Sequence, residues 1–261
     1  MWRVGAAWSN HDVRPAKDAR PWVKRWIRRK FVQYQRRNDG RRIVEKTPTN
    51  VARVAFIREI FPDAQIIHII RDGRAVVCSR LRRWKAAQLY NIGSAETRRH
   101  ILNRMSLVPF WEWPAYSWTA AREVCRRYVT HKPAHWWGLK YPGWAQDRSE
   151  LTVAQLAARQ WVFGVEAARG ELGIEDVAHE HLLEVKYEDL TSDFRRIFGG
   201  ILRFVGVDGQ GYADQVATTV RTDSVDRWRR ELPESVLAEI MPCLEPALRQ
   251  LGYAIEHGSH P

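Results

Sequence analysis

Cysteine is scarce in this sequence. The three present, Cys78, Cys125 and Cys243, lie far apart and form no CxxC pair. That excludes a disulfide framework and offers no metal-ligand signature. The expected setting is a reducing compartment, the cytoplasm. Long apolar runs are also missing. None approaches the ~18 residues that would cross a bilayer. The opening "MWRVGAAWSNHD" has no apolar stretch of the signal-peptide kind. Repeats, low-complexity tracts and linkers are absent as well, so a single domain over residues 1–261 is expected. Acidic residues are rare only at the front. Residues 1–50 hold 14 Lys/Arg against 4 Asp/Glu, and residues 51–261 hold 28 against 26. The formal charge of +12 is therefore a local feature and not a surface-wide nucleic-acid footprint.

What is present favours a folded α/β chain. Hydrophobic residues make up 45%, enough for a sizeable core. Residues 20–38 place Trp22, Trp26, Ile27, Phe31 and Tyr34 near helical spacing with Arg and Lys opposite, which predicts a basic amphipathic helix. Residues 1–40 as a whole read as a basic helical lead-in. "RRIVEK" (41–46) predicts a short strand, and "TPTN" a helix start with Thr47 as cap and Pro48 in the first turn. "NVARVAFIREIF" predicts a helix. "QIIHII" (65–70) predicts a strand buried on both faces of a parallel sheet. "RAVVCSRLRRWKAAQL" predicts the helix after it. Strand, helix, strand, helix with short links argues for a parallel α/β sheet. Residues 90–150 are rich in Trp, Pro and Arg without a clean period, and read as an irregular or helical excursion that would wall or lid the substrate side. Further on, 151–172 predicts a long helix and 181–190 a strand ending at Tyr187. "DFRRIFGGILRFVGV" predicts a helix, 222–232 a basic loop entering another, and "PESVLAEIMPCLEPALRQLGY" a closing helix.

Ligands of open α/β sheets sit beyond the carboxyl ends of the strands. Lys46, Arg71 and Tyr187 stand at those ends in this reading. A helix follows Arg71 at once, and its N-terminal amides would favour an anion. Ser79 lies eight residues after Arg71, and Arg83 one more turn along the same face. An arginine fork with a nearby hydroxyl suits phosphate oxygens. "RDG" is also ordinary turn chemistry, so the weight comes from the combination with Lys46 and the basic loop at 222–230.

The blocks "EKTPTN…IREIFPDAQIIHIIRDGRAVVCSRL", "LLEVKYEDLTSD" and "SVDRWRRELPE…LEPALRQLGY" together resemble the sulfotransferase superfamily, in its bacterial branch. The resemblance covers about residues 40–255. It implies a P-loop-like three-layer α/β fold with a central parallel sheet. It implies transfer of a sulfuryl group from 3′-phosphoadenosine 5′-phosphosulfate (PAPS) to a hydroxyl or amine on a small-molecule, glycan or peptide acceptor. By the same resemblance Arg71 and Ser79 hold the nucleotide 3′-phosphate and Arg83 supports it. Tyr187 and Arg227 contact the nucleotide, Lys46 faces the transferring sulfuryl group, and Ser224 stabilises the transition state. No metal is implied.

The superfamily normally opens with a strand and a loop of proline, a basic residue, Ser or Thr, then Gly-Thr-Thr. No such loop, and no G-x-x-x-x-G-K-S/T, occurs in these residues. The expectation is a chain whose N-terminal strand and 5′-phosphosulfate loop are missing, through truncation, a late start or loss. "GVDGQG" (206–211) reads as a loop. Glu45 and His68 are the nearest titratable groups to serve as base, and both read as structural. Two alternatives stand beside the enzyme: a remnant that only binds adenosine 3′,5′-bisphosphate, and a basic nucleic-acid-binding protein.

Overall fold

The structure is a computed structural model that describes residues 2–6, 8–88, 107–115, 117, 118, 121, 125, 138–172, 181–220, 222 and 225–255. The chain divides into two compact units. The first is built from residues 1–62 and 83–142, the second from 63–82 and 143–261.

In the first unit, helix α1 (Pro21–Arg36) forms where the basic amphipathic helix is predicted. Pro21 stands in its first turn, and Val23 and Ile27 point inward one turn apart. The turn at Asn38-Asp39-Gly40 ends it. Asp39 and Gly40 take positive φ of 55° and 70°, and the Gly40 N–H reaches back to the Gln35 carbonyl at 3.0 Å. Helix α2 (Val54–Ile60) buries Val54, Phe56 and Ile60. Phe56 and Ile60, with Trp2, Val4, Val108 and the inner face of α1, make the core of this unit. Two arginines are buried beside it. Arg14 Nη1 donates to the Trp2 and Val4 carbonyls at 3.3 and 3.0 Å, Nε pairs with Asp18 at 3.0 Å, and the guanidinium lies 4.3 Å from the Phe56 ring centre. Burial pulls the Arg53 guanidinium down to about 10; Asp12, 3.8 Å away, works against that fall.

The strand predicted at 41–46 does not form. Those residues are irregular and Val44 is 89% exposed. Among the described residues the only sheet pairs two strands further along, so nothing there offers residues 41–46 a ladder. Glu45 is held instead by side chains, accepting from the Trp2 indole at 3.0 Å, the Thr47 hydroxyl and Asn50. Thr47 therefore spends its hydroxyl on Glu45 and caps nothing; Pro48–Ala52 begins as a 3-10 turn before α2. Much of the predicted excursion at 90–150 lies outside the described residues.

Glu112 is also buried in this unit, at 8% exposure, and takes the Gly5 N–H at 2.6 Å. Burial pushes its carboxyl above the usual range, against the pull of the Gly5 N–H and Arg14. The stability owed to its protonated form is present below the ordinary glutamate value of about 4.3 and is lost as pH rises through the raised native value. Glu112→Gln keeps an acceptor for Gly5 and should flatten that loss. Urea midpoints from about pH 4 to about pH 8 that stay parallel for both proteins would contradict this.

The second unit holds the sheet. β1 (Ile66–Ile70) and β2 (Leu182–Lys186) pair in parallel, Ile66 opposite Leu182 and Ile70 opposite Lys186. β1 is buried on one face only. His68 and Ile70 point inward, whereas Ile69 is 48% exposed, which corrects the expectation of two covered faces. Helix α3 (Gly73–Gln88) follows β1. Helices α4 (Trp144–Glu150) and α5 (Val153–Leu172) precede β2. After it come α6 (Tyr187–Ser192), α7 (Phe194–Phe204), α8 (Gln210–Ala217), α9 (Arg227–Glu231) and α10 (Glu234–Gln250). The core joins Ile70, Ala75, Val77, Ala157, Ala158, Trp161, Ile240, Leu244 and Leu248. Each fully buried aliphatic side chain here contributes roughly 1.5–3 kcal/mol. Small residues let the helices close in. A Cβ on Gly73 would stand 2.9 Å from the Trp161 ring and 3.0 Å from Leu244, so α3 can start only on a glycine at this spacing. A mixed α/β fold with a small parallel sheet is thus in place, mostly helical around it.

Candidate nucleotide site

The register brings two predicted residues together. Ile70 faces Lys186, so the chain leaves the paired strands at Arg71 and Tyr187 side by side. The Arg71 guanidinium lies 4.6 Å from the Tyr187 ring centre. A cation over a ring face at this distance is attracted to it, which helps to hold the arginine at the strand end. The backbone beneath it is tied on both sides. The Trp161 indole donates to the Arg71 carbonyl at 2.9 Å. The Asp72 N–H donates to Glu188 Oε1 at 3.0 Å, and Glu188 Oε2 takes the Tyr253 hydroxyl at 2.9 Å. Burial, then the Glu188 carboxylate, pushes the Tyr253 phenol up, so it stays a donor.

Asp72 changes the expected role of the helix end. Its Oδ1 accepts the Arg74 N–H at 2.8 Å, as an N-cap does, and its carboxylate holds the Arg74 guanidinium at 2.7–3.2 Å. A carboxylate of the protein itself therefore takes the Arg74 N–H at the start of α3. Arg74 continues the chain of contacts, with its guanidinium 4.1 Å from the Trp228 ring centre on α9.

Ser79 sits six residues into α3, about 9 Å along the axis from Gly73, and is half-buried. Arg83 follows four residues later on the same side, exposed. Arg227 is the first residue of α9, and its Nε lies 3.7 Å from Glu231. The other oxygen of Glu231 meets Arg82 at 3.6 Å and the Cys78 thiol at 3.6 Å. Helix α9, which follows the predicted basic loop, is thus docked on α3 beside the turn that carries Ser79. Burial, then Glu231, pushes the Cys78 thiol up, and the residue packs in the core of this unit. Tyr187 opens α6 rather than closing a strand. Ser224 lies outside the described residues. Lys46 belongs to the first unit, where it is exposed just before Thr47.

His68 has the structural role expected of it. It is buried and its Nδ1 lies 3.1 Å from Glu184, its direct partner across the strands. Sequence reasoning missed Asp72, Arg74, Glu188 and Trp161 as the groups that hold the strand-end turn. The signal was visible in "RDGR", an acid two residues before a base at a helix start, but it reads equally as a turn.

A family model described as "Sulfotransferase family" matches residues 6–142. The chain belongs to the sulfotransferase family. It is also similar to protein-tyrosine sulfotransferase A of Caenorhabditis elegans, 22% identical over 212 residues. That match takes in 81% of this chain and 45% of the relative, so the chain spans about half the relative's length. No solved structure matches. The family match includes Lys46, Arg71, Ser79 and Arg83; Tyr187 and Arg227 fall beyond it. No described helix is long and apolar enough to cross a membrane.

Proposed function

We propose that this chain binds PAPS through the turn after β1 and transfers its sulfuryl group to a hydroxyl or amine acceptor. The observation that carries the reading is the Arg71 guanidinium held over the Tyr187 ring at the end of the parallel pair. The donor set suits a phosphate monoester: a planar fork in Arg71, a hydroxyl in Ser79 and a further cation in Arg83. The carboxylates beside it are engaged elsewhere, Asp72 with Arg74 and Glu188 with Tyr253. Arg227 serves the same nucleotide from α9. Lys46 and Ser224 take the roles that the family resemblance assigns them at the sulfuryl group.

Sulfuryl transfer, like phosphoryl transfer, is mostly positioning and charge stabilisation. Arg71 and Ser79 would anchor the nucleotide so that the reacting end is held in line. The Lys46 ammonium would neutralise charge that develops on the transferring group. The relative's name points to protein tyrosine as a first hydroxyl acceptor to assay.

Thermal unfolding tests the nucleotide claim. Adenosine 3′,5′-bisphosphate should raise the midpoint of the wild type and AMP should not. A ligand at 100 times its Kd stabilises by about 2.7 kcal/mol. Arg71→Ala and Ser79→Ala should each lose most of that protection. No shift at millimolar ligand would sink the reading. Labelled sulfate transfer from PAPS then separates an enzyme from a chain that only binds.

A further inference from the structure

A second surface, in the first unit, has no part in the nucleotide reading. The stretch "LVPFWEW" (107–113) exposes Leu107, Phe110, Trp111 and Trp113 at 40%, 70%, 54% and 43%. These rings are not stragglers from a loose loop. Val108 and Pro109 are buried between them, Glu112 is tied to the Gly5 backbone at 2.6 Å, and Phe110–Glu112 is a 3-10 turn. The segment is anchored by its buried residues and holds its aromatic ones outward.

Ring contacts join this tip to α1. Phe110 meets Trp111 at 5.1 Å, and Trp111 meets Trp22 and Trp26 edge-on at 6.3 and 5.7 Å. The Lys30 ammonium lies 5.1 Å from the Trp26 ring. Helix α1 carries Lys24, Arg25, Arg28, Arg29, Lys30 and Arg36 and no Asp or Glu. Arg25, Arg29 and Arg36 are exposed, at spacings that place them on one side with Trp22 and Trp26.

We infer that this joined face, the 107–113 tip and the cationic side of α1, docks on an anionic lipid bilayer. The charge decides the occupant. An apolar tip alone would suit a protein groove, and a cationic helix alone any polyanion. A bilayer surface satisfies both at once, taking aromatic rings at headgroup depth and arginines at lipid phosphates. Single-stranded nucleic acid stacks its bases on open aromatic faces, and it is the competing polyanion that the test separates from a bilayer. The inference stands independently of the nucleotide site.

Co-sedimentation of the full chain with vesicles tests it, at about 0.1 M salt. The wild type should pellet with phosphatidylcholine vesicles containing about 30% phosphatidylserine, and far less with phosphatidylcholine alone. Arg25→Ala with Arg29→Ala should weaken binding about 25-fold, each arginine near the surface contributing about fivefold. Phe110→Ser should weaken it about tenfold with the charge unchanged. Far-UV circular dichroism confirms that the variants are folded, and Phe110 is exposed enough for its loss to spare the core. Three results overturn the inference. One is no pelleting with anionic vesicles. Another is binding that drops with the arginines but ignores Phe110→Ser, which is bare electrostatic adsorption. The third is tight binding to oligo(dT) without vesicle binding, which assigns the face to nucleic acid.

Discussion

Asp72→Ala is expected to destabilise the second unit by about 3–5 kcal/mol, because it strands a buried charge. Asp72 and Arg74 are 6% and 3% exposed, and their side chains meet at 2.7 Å. Removing the carboxylate leaves the Arg74 guanidinium in the interior beside the Trp228 ring and without its carboxylate partner. The same substitution removes the cap of α3, a further loss of about 1 kcal/mol. Urea unfolding followed by circular dichroism measures the sum. A second variant separates charge from volume. Asp72→Ala combined with Arg74→Met should recover much of the loss, since an apolar side chain of similar length needs no partner there. A loss below about 1 kcal/mol in the single variant would mean that water reaches Arg74 and the pair is not sealed.

Trp161→Ala should cost about 3–5 kcal/mol, the range for a large buried aromatic. Trp161 is 6% exposed, lies against Gly73 and Leu244, and bonds the Arg71 carbonyl. The informative variant is Trp161→Phe. It keeps most of the ring but drops the N–H, leaving the Arg71 carbonyl without that donor at about 1–3 kcal/mol. If the turn positions Arg71 for a phosphate, nucleotide protection should fall further in Trp161→Phe than the loss of stability explains. Protection that stays at the wild-type level in a folded Trp161→Phe would show that the turn keeps its shape by other bonds.

Elements driven by their own periodicity were legible in the sequence. The apolar run at 66–70, the long amphipathic helix at 153–172 and the closing helix at 234–250 all carry their pattern locally. The predicted strand at 41–46 failed because a strand is a property of two chains, and residues 41–46 have no ladder among the described residues. The one-sided burial of β1 was hidden for a related reason. "IIHII" is apolar on both faces, and only the packing reveals that Ile69 is left out. At the site, Arg71 and Tyr187 were legible as residues at the carboxyl ends of two strands, although Tyr187 opens the helix that follows β2. Their contact was not, since it depends on a register set between residues 116 positions apart. Asp72 as the internal anion of α3 was hidden in a dipeptide that turns use everywhere.

The pairing of β1 with β2 has a cost in time. His68 meets Glu184 across a separation of 116 residues, and Glu188 then waits for Tyr253, another 65 residues on. At about 5–20 residues per second of synthesis, β1 leaves the ribosome roughly 6–23 s before its partner strand exists. During that interval "QIIHII", with no formal charge and no proline, is an unpaired apolar strand of the kind that self-associates. Slower synthesis lengthens that interval instead of relieving it.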